Sequence, residues 1–223
     1  INQATAQKLY DSLLLKDQQR LSKNDDIAII GMSGKFPQSE NIDSFWKNIA
    51  EGKNCISEIP TNRWNWKKYQ DTIYSKWGGF IDDIDHFDAD FFNISPLEAE
   101  RMDPQQRLFL QETWKSIENA GYDPNQLSDM KCGVFAGVMN YDYLSRFLDL
   151  NHNKNSDAYE LMGNAGSILA SRISYFLNLK GPAIAIDTAC SSSLVATHLA
   201  TQSLQTKETD IALVGGVTLY INP

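Results

Sequence analysis

Short runs of branched and small apolar residues alternate along this chain with stretches in which apolar residues recur every three or four positions. The runs predict buried strands at residues 27–32, Cys132–Val138, Ala183–Ile186 and Ile211–Val217, because each is brief and bounded by glycine, proline or charged breakers. Helical spacing predicts a helix through Phe45, Trp46, Ile49 and Ala50 with Asp43 as its cap. It also predicts one long helix over about residues 96–120, carrying Leu108, Phe109, Trp114 and Ile117 and stopped by Gly121 and Pro124. Residues 141–179 read as mixed loop and helix, with the best period at Ile168, Leu169, Ile173, Phe176 and Leu177. A last helix carries Leu194, Val195, Ala196, Leu199, Ala200 and Leu204. Residues 55–95 form a long irregular stretch with Trp64, Trp66, Trp77 and the Gly78-Gly79 pair, and loops of that length are usually functional or packed insertions. Strands alternating with helices imply an α/β layered domain with a largely parallel sheet.

Residues 1–25 are polar, with a helical stripe through Ala6, Leu9, Leu13 and Leu14, and read as a linker helix ahead of a globular part over 26–223. The chain begins at Ile1 and stops just after a strand-like run, so it reads as an excerpt from a longer polypeptide. With 223 residues and 42% hydrophobic content it can bury one full core. Three widely spaced cysteines, Cys55, Cys132 and Cys190, argue against a disulfide framework or a Cys-rich metal site and for a reducing compartment. No apolar stretch is long enough to span a bilayer, and the first residues lack the layout of a signal peptide, so the expectation is a cytoplasmic chain with no membrane partner. A formal charge of −8 disfavours nucleic acid as the main partner, since phosphate binding draws on a basic face.

Cys190 stands where the Ala183–Ile186 strand ends and the last helix begins. Free N–H groups and the helix dipole favour an anion at such a junction, and the same donors can hold an oxyanion, which makes the thiol a candidate nucleophile. The competing reading is a small buried hydrophobe, the commonest state of a free cysteine. Ser191, Ser192 and Ser193 fit a helix start, where hydroxyls cap free N–H groups. His198 is the nearest histidine, but on one helix eight residues separate the two Cα atoms by about 12 Å along the axis, beyond hydrogen-bond reach. It reads as a structural helix residue, and His86 and His152 lie in loop-like sequence with nothing that aims them at the thiol.

Other patterns are weaker. Gly31-Met32-Ser33-Gly34 follows a strand-like run but lacks the third glycine and the immediate helix of a dinucleotide loop. The flanks of Cys190, Thr188-Ala189 and Ser191-Ser192, lack the glycines of a serine-hydrolase elbow. Asp82, Asp83, Asp85, Asp88 and Asp90 around His86 miss the glycine and terminal glutamate of a calcium loop and read as a solvated acidic turn, with no metal assigned. Arg63, Lys67 and Lys68 interleave with Trp64, Trp66 and Tyr69, and in so acidic a chain packing is the better reading than base stacking.

The run Asp187-Thr188-Ala189-Cys190-Ser191-Ser192-Ser193-Leu194 resembles the active-site motif of the β-ketoacyl synthase, or ketosynthase, domains of modular polyketide synthases. Residues 27–37, Phe91-Phe92-Asn93-Ile94-Ser95-Pro96-Leu97-Glu98-Ala99, Met102-Asp103-Pro104-Gln105-Gln106-Arg107-Leu108, Arg172-Ile173-Ser174-Tyr175, Gly181-Pro182 and Gly215-Gly216-Val217 match further family blocks in order. Such a spaced series is far more specific than one short match. Lys76-Trp77-Gly78-Gly79-Phe80 resembles synthases served by a separate acyltransferase.

The resemblance covers about residues 26–223 and implies a thiolase-like fold of two similar α/β halves around buried helices, of which this chain supplies the first. Residues 1–25 would then link it to a preceding module. It further implies that Cys190 accepts a growing acyl chain, as a thioester, from the phosphopantetheine arm of an acyl carrier protein. A malonyl-type unit on a carrier then loses carbon dioxide and attacks that thioester. No cofactor is bound by the domain itself, and the partners are the acyl carrier protein, the acyl thioester, the C-terminal half and a second copy, paired near Ala183–Ile186. The family's two histidines and supporting lysine fall in its second half, so these roles pass to no residue of this chain. A gatekeeping module that transfers an acyl chain without condensing remains the alternative.

Overall fold

The computed structural model describes residues 7–8, 26–146 and 158–223, so the linker helix expected over 1–25 lies almost wholly outside the described residues, as does His152. At the centre is a parallel sheet in which β3 (Cys132–Val138) lies between β4 (Ala183–Ile186) and β5 (Ile211–Val217). All three strands stand where the apolar runs put them. Every residue of β3 is buried, as a strand covered on both faces requires.

Alternation along β3 sorts the core into two layers. Cys132, Val134, Ala136 and Val138 face α3 (Pro104–Asn119) and α5 (Gly166–Phe176), meeting Phe109, Leu110, Ile117, Leu169, Ala170 and Ile173. Phe135 faces the other way, onto α6 (Ser192–Gln205), where Ala196 and Ala200 close against it and Ile186. Each fully buried Leu or Phe in these layers stabilises the fold by about 1.5–3 kcal/mol.

A smaller lobe precedes the sheet. It holds α1 (Ile42–Ala50) and a two-stranded antiparallel pair, β1 (Ser57–Glu58) with β2 (Trp77–Gly78). Asn41, and not Asp43, caps α1: its Oδ1 accepts from the Ser44 N–H at 2.9 Å and the Ser44 hydroxyl accepts in return. The helix starts two residues earlier than a cap at Asp43 would place it, which leaves Asp43 inside the first turn. Trp64 packs edge-on against Phe80, and the Lys76 ammonium lies over the rings of Trp66 and Trp77, so these aromatics serve packing and cation–π contacts. The acidic segment is a series of exposed turns, tied to the core by Phe87, which stacks on Phe92, and by Phe92, which reaches Trp114 and Phe176.

Two further sequence expectations fail. The long helix is two helices, α2 (Pro96–Arg101) and α3, separated by an extended Met102. Pro104 disfavours helical backbone at Asp103, whose carboxylate instead caps α3 by accepting the Gln105 N–H at 2.8 Å. Residues 27–32 form no strand. A strand exists by its ladder, and no described segment pairs with these residues. They dock on α3 instead, where Met32 N–H donates to Asn119 Oδ1 at 3.0 Å and Ser33 bonds to Glu112. A Cβ on Gly31 would stand 2.3 Å from the Ser116 carbonyl oxygen, so the glycine permits that approach. The apolar side chains point outward, with Ile29 80% exposed.

Candidate active site

Between β4 and α6 the chain makes a tight turn and not a direct passage from strand to helix. Ala189 takes a positive φ of 55°, and Ala189–Ser191 form one 3-10 turn before α6 begins. Cys190 occupies the middle of that turn and is exposed. Beside it opens a cavity of about 220 Å³ lined by Gly137, Val138, Met139, Ala189, Cys190, Ser192, Ser193, Gly216, Val217 and Thr218. The walls are thus the carboxyl ends of β3 and β5 and the start of α6, the edge at which open parallel sheets bind ligands.

The serines do not cap the helix as expected. The Ser191 hydroxyl donates to the Thr188 carbonyl at 2.8 Å, while Ser192 Oγ accepts from the Thr188 N–H at 2.9 Å and donates to the Ala189 carbonyl at 2.7 Å. Neither Thr188 nor Ser191, the residues flanking the two helix starts, caps with its side chain. The hydroxyls fold the turn back on itself, and the donors at the helix start are spared from side-chain capping, which suits an oxyanion site.

The other thiols are placed differently. Cys132 is fully buried on β3, and burial pushes its thiol up to about 12. Cys55 is half-buried in the smaller lobe, its Sγ near the Lys53 carbonyl. Of the three, only Cys190 combines exposure with a cavity and a helix start. His198 is exposed on α6, and His86 is exposed 3.8 Å from Asp83 in the acidic turns, so neither is brought to the thiol. Among the described residues no group of three or more His, Cys, Asp or Glu side chains is placed to hold a metal ion, and no helix is long and apolar enough to cross a membrane.

Two functional positions escape a reading of nucleophiles and bases. A Cβ on Gly137 would lie 2.9 Å from the Ser192 carbonyl carbon and the Ser193 nitrogen, and one on Gly216 would lie 2.9 Å from Ser193 Cβ. These glycines let the start of α6 sit directly on β3 and β5. The signal in the sequence is a glycine inside a strand, which marks a close approach of another backbone. A polar clamp then holds the segment after β5: Gln105 Oε1 accepts from Leu219 N–H at 3.2 Å, and Asn222 donates to the Asp142 carbonyl at 2.6 Å.

Residues 24–223 match the family described as beta-ketoacyl synthase, N-terminal domain. The polyketide synthase PksM of Bacillus subtilis is 52% identical over 206 residues, covering 89% of this chain and 4% of that protein. A phenolphthiocerol/phthiocerol polyketide synthase from Mycobacterium tuberculosis is 43% identical over 212 residues, 92% of this chain and 14% of the relative. Among solved structures, the ketosynthase from module 6 of the bacillaene synthase of Bacillus subtilis superposes with a TM-score of 0.76 at 52% identity, over 88% of this chain and 32% of its own. The oxazolomycin ketosynthase domain of Streptomyces albus does so with a TM-score of 0.79 at 36% identity, over 89% and 36%. The chain therefore spans about a third of the solved ketosynthases it matches and a small part of the curated synthases.

Proposed function

Because the chain belongs to the β-ketoacyl synthase family, as that family's N-terminal domain, we propose that Cys190 is the acyl-accepting nucleophile of a ketosynthase that extends acyl chains in polyketide biosynthesis. The observation that carries this reading is the exposed thiol in the turn between β4 and α6, facing the cavity at the sheet's carboxyl edge.

The Cys190 sulfur attacks the carbonyl of an acyl thioester borne on the phosphopantetheine arm of an acyl carrier protein. N–H groups at the start of α6 receive the oxyanion, and collapse expels the carrier thiol. A malonyl-type unit on a carrier then loses carbon dioxide, and its carbanion attacks the Cys190 thioester. The new carbon–carbon bond lengthens the chain by two carbons on the carrier and returns the free thiol. The groups that promote decarboxylation come from the second half of the domain, which also covers the outward apolar side chains of residues 27–32 and Leu194. The Lys76–Phe80 segment favours a malonyl unit loaded by a separate acyltransferase. A second copy pairs along the free edge of β4, and the protein works in the cytoplasm.

Incubating the complete synthase with an acyl N-acetylcysteamine thioester, followed by digestion and mass spectrometry, is expected to give the acyl mass on the Cys190 peptide. Cys190→Ala should abolish the adduct and Cys55→Ser should leave it. An adduct on Cys55 alone, or none, overturns the assignment. Acylation of Cys190 with no elongated product from a malonyl-carrier partner would mark a gatekeeping transferase instead.

A further inference from the structure

We propose that Ser192 is a positioning residue that holds Cys190 in its attacking pose by locking the left-handed turn at Ala189, a proposal that rests on Cys190 being the acyl acceptor. Ala189 immediately precedes the nucleophile and adopts a φ of 55°, a conformation that disfavours any residue with a Cβ. No glycine stands there to relieve it. The Ala189 N–H donates to Asp187 Oδ1 at 3.0 Å and its carbonyl accepts from the Ser192 N–H, and one buried hydroxyl adds the restraint that spans the residue. Ser192 Oγ accepts from the Thr188 N–H at 2.9 Å and donates to the Ala189 carbonyl at 2.7 Å, so it brackets the strained residue from both sides.

Ser192 is itself immobilised. It is 6% exposed, and its backbone and Cβ rest on Gly137, where an added Cβ would lie 3.0 Å from Ser192 Cβ. The central strand therefore fixes Ser192, the Ser192 hydroxyl fixes Ala189, and Ala189 sets the direction in which Cys190 leaves the turn. The Ser191 hydroxyl, although adjacent, is exposed and bonds only to Thr188, with its Oγ 2.9 Å from Thr188 Oγ1, so it does not reach Ala189. A hydroxyl whose bonds all run backward into the turn, away from the helix, acts on the nucleophile's geometry more than on helix stability.

The test is single-turnover acylation of Cys190 in the complete synthase by saturating acyl N-acetylcysteamine thioester, with melting temperature read in parallel. Ser192→Ala is expected to slow acylation about tenfold while the half-saturating thioester concentration stays unchanged. Adding Ala189→Gly to that variant is expected to restore most of the rate, because glycine enters the left-handed region without penalty. Should Ser192→Ala melt early, the double variant still decides: recovery of rate without recovery of melting temperature supports the proposal. Acylation of Ser192→Ala at the wild-type rate overturns it, and so does a loss that Ala189→Gly does not relieve. A wild-type protein that forms no adduct on Cys190 defeats the acyl-acceptor reading itself, a result distinct from both.

Discussion

Burial separates the side chains that carry chemistry from those that carry structure. The Cys132 thiol, enclosed by the sheet and its helices, is pushed up to about 12 and stays protonated at neutral pH. Asp103 meets the same force at the start of α3: burial raises its carboxyl above the ordinary value, against the opposing hydrogen bonds from Gln105 and the charge of Arg107. A raised carboxyl binds its proton more tightly when folded. Its contribution to stability is full below the ordinary carboxylate pKa, near about 4, and is lost as pH rises through the raised value. Asp103→Asn keeps the capping oxygen and removes the titration. Thermal melts between about pH 4 and 7 should therefore show wild-type stability falling relative to the variant as pH rises. Parallel curves would mean that Asp103 titrates alike in both states. At this scale the candidate nucleophile is legible, because an apolar strand followed by small polar residues and a helical period brackets Cys190. The hydroxyl network is not, since three consecutive serines look equivalent until the turn decides which of them faces inward.

At the level of elements, legibility follows how local the cause is. Strands β3, β4 and β5 and helix α6 are written in their own residues and stand where the pattern puts them. The break at Met102 is also local, and Pro104 announces it, but an apolar period running across both helices conceals it. Residues 27–32 fail for the opposite reason: their composition suits a strand, yet pairing depends on a partner elsewhere. The positive φ at Ala189 has no signature at all, because the residue is not glycine. The contact between α6 and the strands gives the sharpest test. Gly137→Ala drives a methyl into the backbone of Ser192 and Ser193, which cannot rotate away, and should cost about 1–3 kcal/mol of stability by chemical denaturation. An unchanged midpoint would show that α6 can lift from β3 without loss.

At the scale of the whole fold, the sheet has β4 and β5 as its edge strands among the described residues. The Val134 N–H bonds to the Pro182 carbonyl at 2.7 Å, so alternate residues from 182 turn their backbone groups to β3, and Ala183 and Ala185 turn theirs outward. If a second copy pairs there, Ala185→Pro deletes an outward donor and spares the inner ladder. Sedimentation should then show dimer dissociation at about tenfold lower dilution than for wild type, with Cys190 still acylated. A dimer of unchanged affinity would move the seam elsewhere. The order β4-β3-β5 also has a temporal meaning. The middle strand is synthesised first, and both of its neighbours arrive later, β5 only after α5, β4 and α6 have been made. At roughly 5–20 residues per second, β3 leaves the ribosome seconds before β5 does. Through that interval a wholly apolar strand is without its final cover, and the cleft beside Cys190 has only one of its two glycine walls. Completion of the cleft beside Cys190 is therefore a late event in the synthesis of the described residues, because it waits for the second of those walls.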